Sequence, residues 1–154
     1  MATPDVSVDL EDASRAAGVP SAEQFQRWAT AAFAGRREAA ELSIRVVGEQ
    51  ESAELNGRYR GKHYATNVLS FPAQLPPGVP VPAVGDLVIC AAVVTREATA
   101  QGKPVEAHWA HLTVHGCLHL IGYDHEDDRQ AAEMEPLETA ILANLGFPDP
   151  YLAR

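Results

Sequence analysis

The stretch VEAHWAHLTVHGCLHLIGYDH, residues 105–125, decides how this chain is read. Pro104 suits the first turn of a helix, because the N–H it lacks would be unpaired there anyway. Gly122 supplies the left-handed conformation that ends a helix. Between them the sequence predicts a helix over 105–121. At 100° per residue, His108, His111, His115 and His119 share one arc of roughly 80°. Leu112 and Leu118 flank that arc, so the histidines do not form a freely solvated face. They line a half-buried cleft.

His115 and His119 stand one turn apart, a spacing that lets two imidazoles meet one metal ion. After the glycine, Tyr123 and Asp124 let the chain reverse, and His125 returns as a third ligand. Three protein ligands leave a fourth position for water, the pattern of a catalytic zinc site. Nickel, copper or iron would also suit three imidazoles. His108 is about 10 Å from His115 along the axis, too far to share the ion. His111 could replace one ligand but is better placed as a cleft residue supporting the others. Cys117 points away and belongs to the core. Asp124 either orients a ligand imidazole or simply accommodates the reversal. Gly116 fills the place where an H-E-x-x-H protease keeps its general base. Glycine cannot take a proton, which argues against that mechanism.

Outward from this helix, DVSVDL (5–10) alternates as a half-buried strand does. Ser21 and Gln24 form a capping box ahead of a helix ending near Gly35, with Phe25, Trp28, Ala29, Ala32 and Phe33 on its apolar face. Leu42, Ile44 and Val46 mark a second strand, closed by Gly48. A second helix runs from Glu49 to about Tyr59, followed by the basic cluster Arg58, Arg60, Lys62 and His63. TNVLSF (66–71) and DLVIC (86–90) are two further strands. The proline-rich AQLPPGVPVPA (73–83) between them is a surface loop. Ala91–Ala100 is helical. Asp127 or Asp128 caps a last helix, in which Pro136 forces a restart or a kink. The order βαβαββααα predicts an α+β fold, a small mixed sheet of about four strands packed with about five helices, with the metal in a cleft.

The chain has 154 residues, one domain's length. No apolar run is long enough to span a membrane, and the N-terminus carries no secretory signal. Two cysteines, Cys90 and Cys117, make no disulfide framework and suit a reducing cytoplasm. The net charge of −9 excludes a protein that grips nucleic acid along its whole surface.

HGCLHLIGYDH, taken with TNVLSFP (66–72), GDLVIC (85–90) and LGFPDPY (145–151), resembles the YbeY family, bacterial zinc-dependent endoribonucleases and rRNA maturation factors. The likeness runs from about Leu42 to Tyr151, and the histidine motif is its most specific part. The resemblance implies that His115, His119 and His125 bind the metal, Zn2+, and that Arg60 is a functional residue. It implies residues 1–154 acting as one endoribonuclease domain on ribosomal RNA of the small subunit, with no membrane and no DNA as partner. Asn67 stands where the family commonly has Asp, and Pro136 interrupts the last helix.

In that setting Arg60 would hold a phosphate, with His115 the second catalytic candidate. Arg58, Lys62 and His63 could extend the positive patch, and Ser70 could be a polar group in the cleft. A chain at −9 repels RNA at long range, so the substrate is expected on a ribosome or with a ribosomal or assembly protein. Two alternatives stand beside this: a non-catalytic assembly factor with a structural metal, and a metallohydrolase of another substrate, which Gly116 disfavours.

Overall fold

The structure, a computed structural model, describes residues 3–75, 82–124 and 127–151. His125 lies outside the described residues, as does 76–81 of the proline-rich segment. The predicted order is found: β1 (Asp5–Asp12), α1 (Ala22–Phe33), β2 (Ala39–Val47), α2 (Glu49–Arg60), β3 (Val68–Pro72), β4 (Ala83–Cys90), α3 (Ala91–Gln101), α4 (Val105–Leu120) and α5 (Asp128–Asn144). The sheet runs β1-β2-β4-β3. β1 and β4 pair with β2 in parallel, and β3 closes the edge antiparallel to β4. This is the expected mixed sheet of an α+β fold.

Both faces of the central strands are covered, which is why DLVIC is apolar without alternation. Leu87 and Ile89 join the larger core with Phe25, Trp28 and Cys117, while Val88 and Cys90 join a smaller one with Val47, Leu69 and Val93. The capping box holds: Ser21 Oγ accepts from Gln24 N–H, and Gln24 Oε1 accepts from Ser21 N–H. No helix among the described residues is long and apolar enough to cross a membrane.

α4 is the central helix, touching α1, α3, α5, β3 and β4. Gly116 explains how it lies so close to the sheet. A Cβ there would meet Leu87 Cδ2 at 2.7 Å, and Leu87 is fully buried. Position 116 therefore faces the sheet, so its glycine answers a packing demand. Gly116→Val is expected to cost about 1–3 kcal/mol by overpacking. That would lower the melting temperature by roughly 2–10 °C, measurable by calorimetry; an unchanged melting temperature would contradict this packing account.

Pro136 neither restarts nor splits its helix: α5 is one helix from Asp128 to Asn144. Its buried residues Met134, Glu138, Ile141 and Leu142 fall at helical spacing on both sides of the proline. Packing along that face outweighs the backbone bond that proline removes. Asp127 is the N-cap, its side chain accepting from Gln130 N–H at 2.8 Å. β3 begins two residues later than TNVLSF suggests, because Thr66 is engaged elsewhere. Ser52 Oγ, buried on α2, accepts from Thr66 N–H at 3.0 Å and donates to Thr66 C=O at 3.1 Å. Asn56 Nδ2 donates to Tyr64 C=O at 2.9 Å. α2 thus buries polar residues where most helices bury apolar ones, and they fix the segment between Arg60 and Asn67.

Candidate metal centre and cleft

The histidine face of α4 forms one wall of a cleft of about 970 Å³. β3, the end of α2, the end of α3 and the segment after α5 supply the rest. Arg60, Asn67, Ser70, His108, His111, His115, His119 and Asp124 all line it. The wheel is borne out as a ladder: successive ring centroids from His108 to His119 are 6.3, 6.1 and 4.5 Å apart. Side-chain exposure rises along it, from 5% at His108 through 13% and 18% to 21% at His119. The ladder climbs from a closed floor to an open rim.

Glu138 organises the middle of this ladder. Its Oε2 accepts from His111 Nε2–H at 2.8 Å and from His115 Nδ1–H at 3.2 Å. Its Oε1 accepts from the Tyr151 hydroxyl at 2.9 Å. Burial pushes the Glu138 carboxyl up, but its hydrogen bonds from His111 and His115 and their electrostatic attraction outweigh it and hold it down at about 2. An ionised carboxylate only accepts, so the nitrogens facing it carry protons. In neutral His115 the Nε2 is left with its lone pair. That atom lies 3.0 Å from Nε2 of His119, while Nδ1 of His119 lies 4.0 Å from Asp124 Oδ1. Both imidazoles thus have a carboxylate behind them and their Nε2 atoms converge. Such carboxylate–histidine pairs are the usual support of metal-ligating imidazoles. Two nitrogens 3.0 Å apart also suit one ion with bonds of about 2.0–2.1 Å.

His111, His115 and Glu138 are likewise a group that could hold an ion, their ligand atoms lying within 4.8 Å of one another. Glu138 is fully buried, however, and its oxygens already take three donors. His111 turns its Nε2 to that carboxylate, and its Nδ1 is buried without a partner among the described residues. His111 thus stands in the same cleft cluster as His115, joined to it through Glu138.

Among the predicted residues, Arg60 sits at the exposed end of α2 on the cleft rim. Arg58, Lys62 and His63 are not among the lining residues. Arg58 faces a separate depression with Glu51 and Glu54, and the His63 ring lies against Gly57. The patch does not extend as the charge run suggests, because the helix turns Arg58 to another side. Cys117 is fully buried and its thiol is raised by desolvation, so it is core. The sequence reading missed Glu138, Tyr151, Glu97 and Lys103. The available signal for Glu138 was a carboxylate at an apolar position of the last helix. Tyr151 is placed by its own backbone N–H donating to Asp149 Oδ1 at 2.8 Å, while Phe147 of the same segment packs edge-on to Trp28.

A small α+β fold with converging histidines beside buried and cleft-lining carboxylates presents a group of side chains that could hold a metal ion in an open cleft. The chain belongs to the YbeY family: residues 10–146 match the sequence model described as endoribonuclease YbeY. It is 61% identical over 139 residues to endoribonuclease YbeY of Xanthomonas axonopodis pv. citri, covering 88% of this chain and 86% of that one. It is 60% identical over 139 residues to endoribonuclease YbeY of Stenotrophomonas maltophilia, with the same coverage. The solution structure of TM1509 from Thermotoga maritima has a similar fold, with a TM-score of 0.63 at 25% identity, covering 91% of this chain and 88% of that one.

Proposed function

We propose that residues 1–154 act as one metal-dependent endoribonuclease domain in the cytoplasm, cleaving ribosomal RNA during small-subunit maturation and quality control. The zinc ligands in this reading are His115, His119 and His125. The observation that carries it is the pair of Nε2 atoms 3.0 Å apart. Two imidazole lone pairs at that distance repel unless a proton or a cation lies between them, and an ion there would face the cleft. Imidazole donors suit zinc, the ion expected for an open three-histidine site.

Bound there, the ion supplies Lewis acidity to a phosphoryl oxygen. The chain's own groups do the rest. Glu138 holds the ring of His115, and Asp124 places negative charge 4.0 Å from Nδ1 of His119. Arg60, presented at the rim by the end of α2, holds the phosphate and offsets charge developing on it. With a net charge of −9, the chain still brings two cations, Arg60 and Lys103, to the cleft. Binding of free RNA is then weak and salt-sensitive, and a ribosomal particle or assembly protein presents the substrate.

Purified protein is expected to cut single-stranded rRNA fragments. Arg60→Ala should lower kcat/KM by on the order of 10²–10³-fold with its metal content intact. His115→Ala should lose both metal and cleavage. Equal residual cleavage in all three proteins would assign it to contamination and refute the enzyme reading. Metal retained and ribosomal particles bound without cleavage would favour the assembly-factor alternative.

A further inference from the structure

The floor of the cleft, beyond His111, holds polar groups that the metal centre does not use. Glu97 on α3 lines it and is held by one edge. Its Oε1 accepts from His108 Nε2–H at 2.9 Å and from Asn67 Nδ2 at 3.1 Å. Asn67 is fixed in turn, its Oδ1 accepting from Val68 N–H at 2.6 Å. The outer oxygen, Oε2, has a contact to Asn67 only at the 3.5 Å limit, and the side chain is 33% exposed. A carboxylate with an inner oxygen that accepts two hydrogen bonds and a more open outer oxygen is thus held in a fixed direction inside the cleft. His108 stands two turns of α4 from His115, about 10 Å along the axis. That is the reach of a nucleotide from its phosphate to the far edge of its base.

A carboxylate is a poor neighbour for phosphate but a good acceptor for a base edge. Glu and Asp accept from exocyclic amino groups such as cytosine N4. Unpaired RNA bases are recognised through such edges. Guanine and adenine also carry amino donors. Uracil presents two carbonyls around its single N–H, and their lone pairs would face the carboxylate. Resting on the endoribonuclease reading, we propose that Glu97, oriented by His108 and Asn67, is a specificity-determining residue. It selects an amino-bearing base, cytosine, guanine or adenine, over uracil at a nucleotide neighbouring the scissile phosphate.

The test titrates the full-length zinc-loaded protein with CMP, GMP, AMP and UMP, following the Asn67 side-chain amide and His108 ring signals by NMR. The three amino-bearing nucleotides should move these signals with apparent Kd at least about 10-fold below that of UMP. Glu97→Gln, which replaces an acceptor by a donor, should bring all four to within about twofold. Asn67→Ala, which releases the inner oxygen, should narrow the difference and serves if the glutamine variant misfolds. A role confined to tying α3 to α4 would alter melting temperature without changing base preference. UMP bound as tightly as CMP, or no response at Asn67 and His108 to any nucleotide, overturns the proposal. Cleavage of short RNAs carrying uracil at each flanking position separates the two readings. Equal cleavage with equal nucleotide binding removes the subsite alone; no cleavage with intact nucleotide discrimination removes the enzyme reading alone.

Discussion

Substituting His119 by alanine is expected to release the bound metal and to reduce RNA cleavage by more than about 10²-fold. His115 and His119 turn Nε2 atoms toward one point 3.0 Å apart, and each ring is backed by a carboxylate at its Nδ1. In the proposed site, removing one ring would take away a ligand and leave the ion without the ligand count a three-histidine site needs. Wild-type protein should carry about one equivalent of zinc by mass spectrometry of the metal. The variant should carry little after dialysis against a weak chelator. Fold loss is not the cause, because His119 is partly exposed near the rim and fills no core position. A chelator should lower the melting temperature of the wild type, since an ion that binds only the native state stabilises it. The variant should melt at the chelated wild-type temperature with or without zinc. A full equivalent of zinc retained by the variant would contradict the ligand assignment.

What the sequence revealed and what it concealed divide along a physical line. Periodicity exposes whatever repeats with the helix or the strand. The strand and helix order, the capping box at Ser21 and the histidine ladder were legible because each is a local pattern set by backbone geometry. Arg60 was reached through resemblance; the segment that follows it is fixed by Ser52 and Asn56, whose partners are residues 14 and 8 positions away. Glu138 lies 23 residues from His115 and Tyr151 lies 40 from His111. No local pattern connects them, and a glutamate on a helix reads as solvated until the neighbouring helix is in place. At Pro136 the sequence allowed a restart or a kink, and the restart is ruled out: helix propensity is local, whereas the packed face that carries α5 through the proline is tertiary. Arg58 shows the opposite effect, in which adjacency in sequence suggested a patch with Arg60 that the turn of α2 divides between two depressions.

Glu138 is where those non-local links meet, and Glu138→Gln is expected to weaken zinc binding by about 10–100-fold. The carboxylate takes three donors on two oxygens. An amide keeps one acceptor oxygen and replaces the other by a donor. The tolerable orientation turns the NH₂ to Tyr151, whose hydroxyl can rotate to accept. The oxygen then still meets His111 and His115, but without the charge that made His115 a more basic ligand. The opposite orientation sets a donor against two imidazole N–H groups and drives His115 into the tautomer whose Nε2 is protonated, which cannot bind an ion. Either arrangement weakens the metal without removing any ligand. Glu138→Ala should also destabilise the fold, by about 3 kcal/mol or more, because it strands buried donors on three residues. Tyr151→Phe removes one donor and leaves both histidine bonds, so its effect on zinc should be the smallest of the three. Competition titration against a zinc chelator, paired with denaturant melts of the apo proteins, separates these outcomes. A zinc Kd for Glu138→Gln within about twofold of wild type would mean that the carboxylate holds the core together without tuning the ligand.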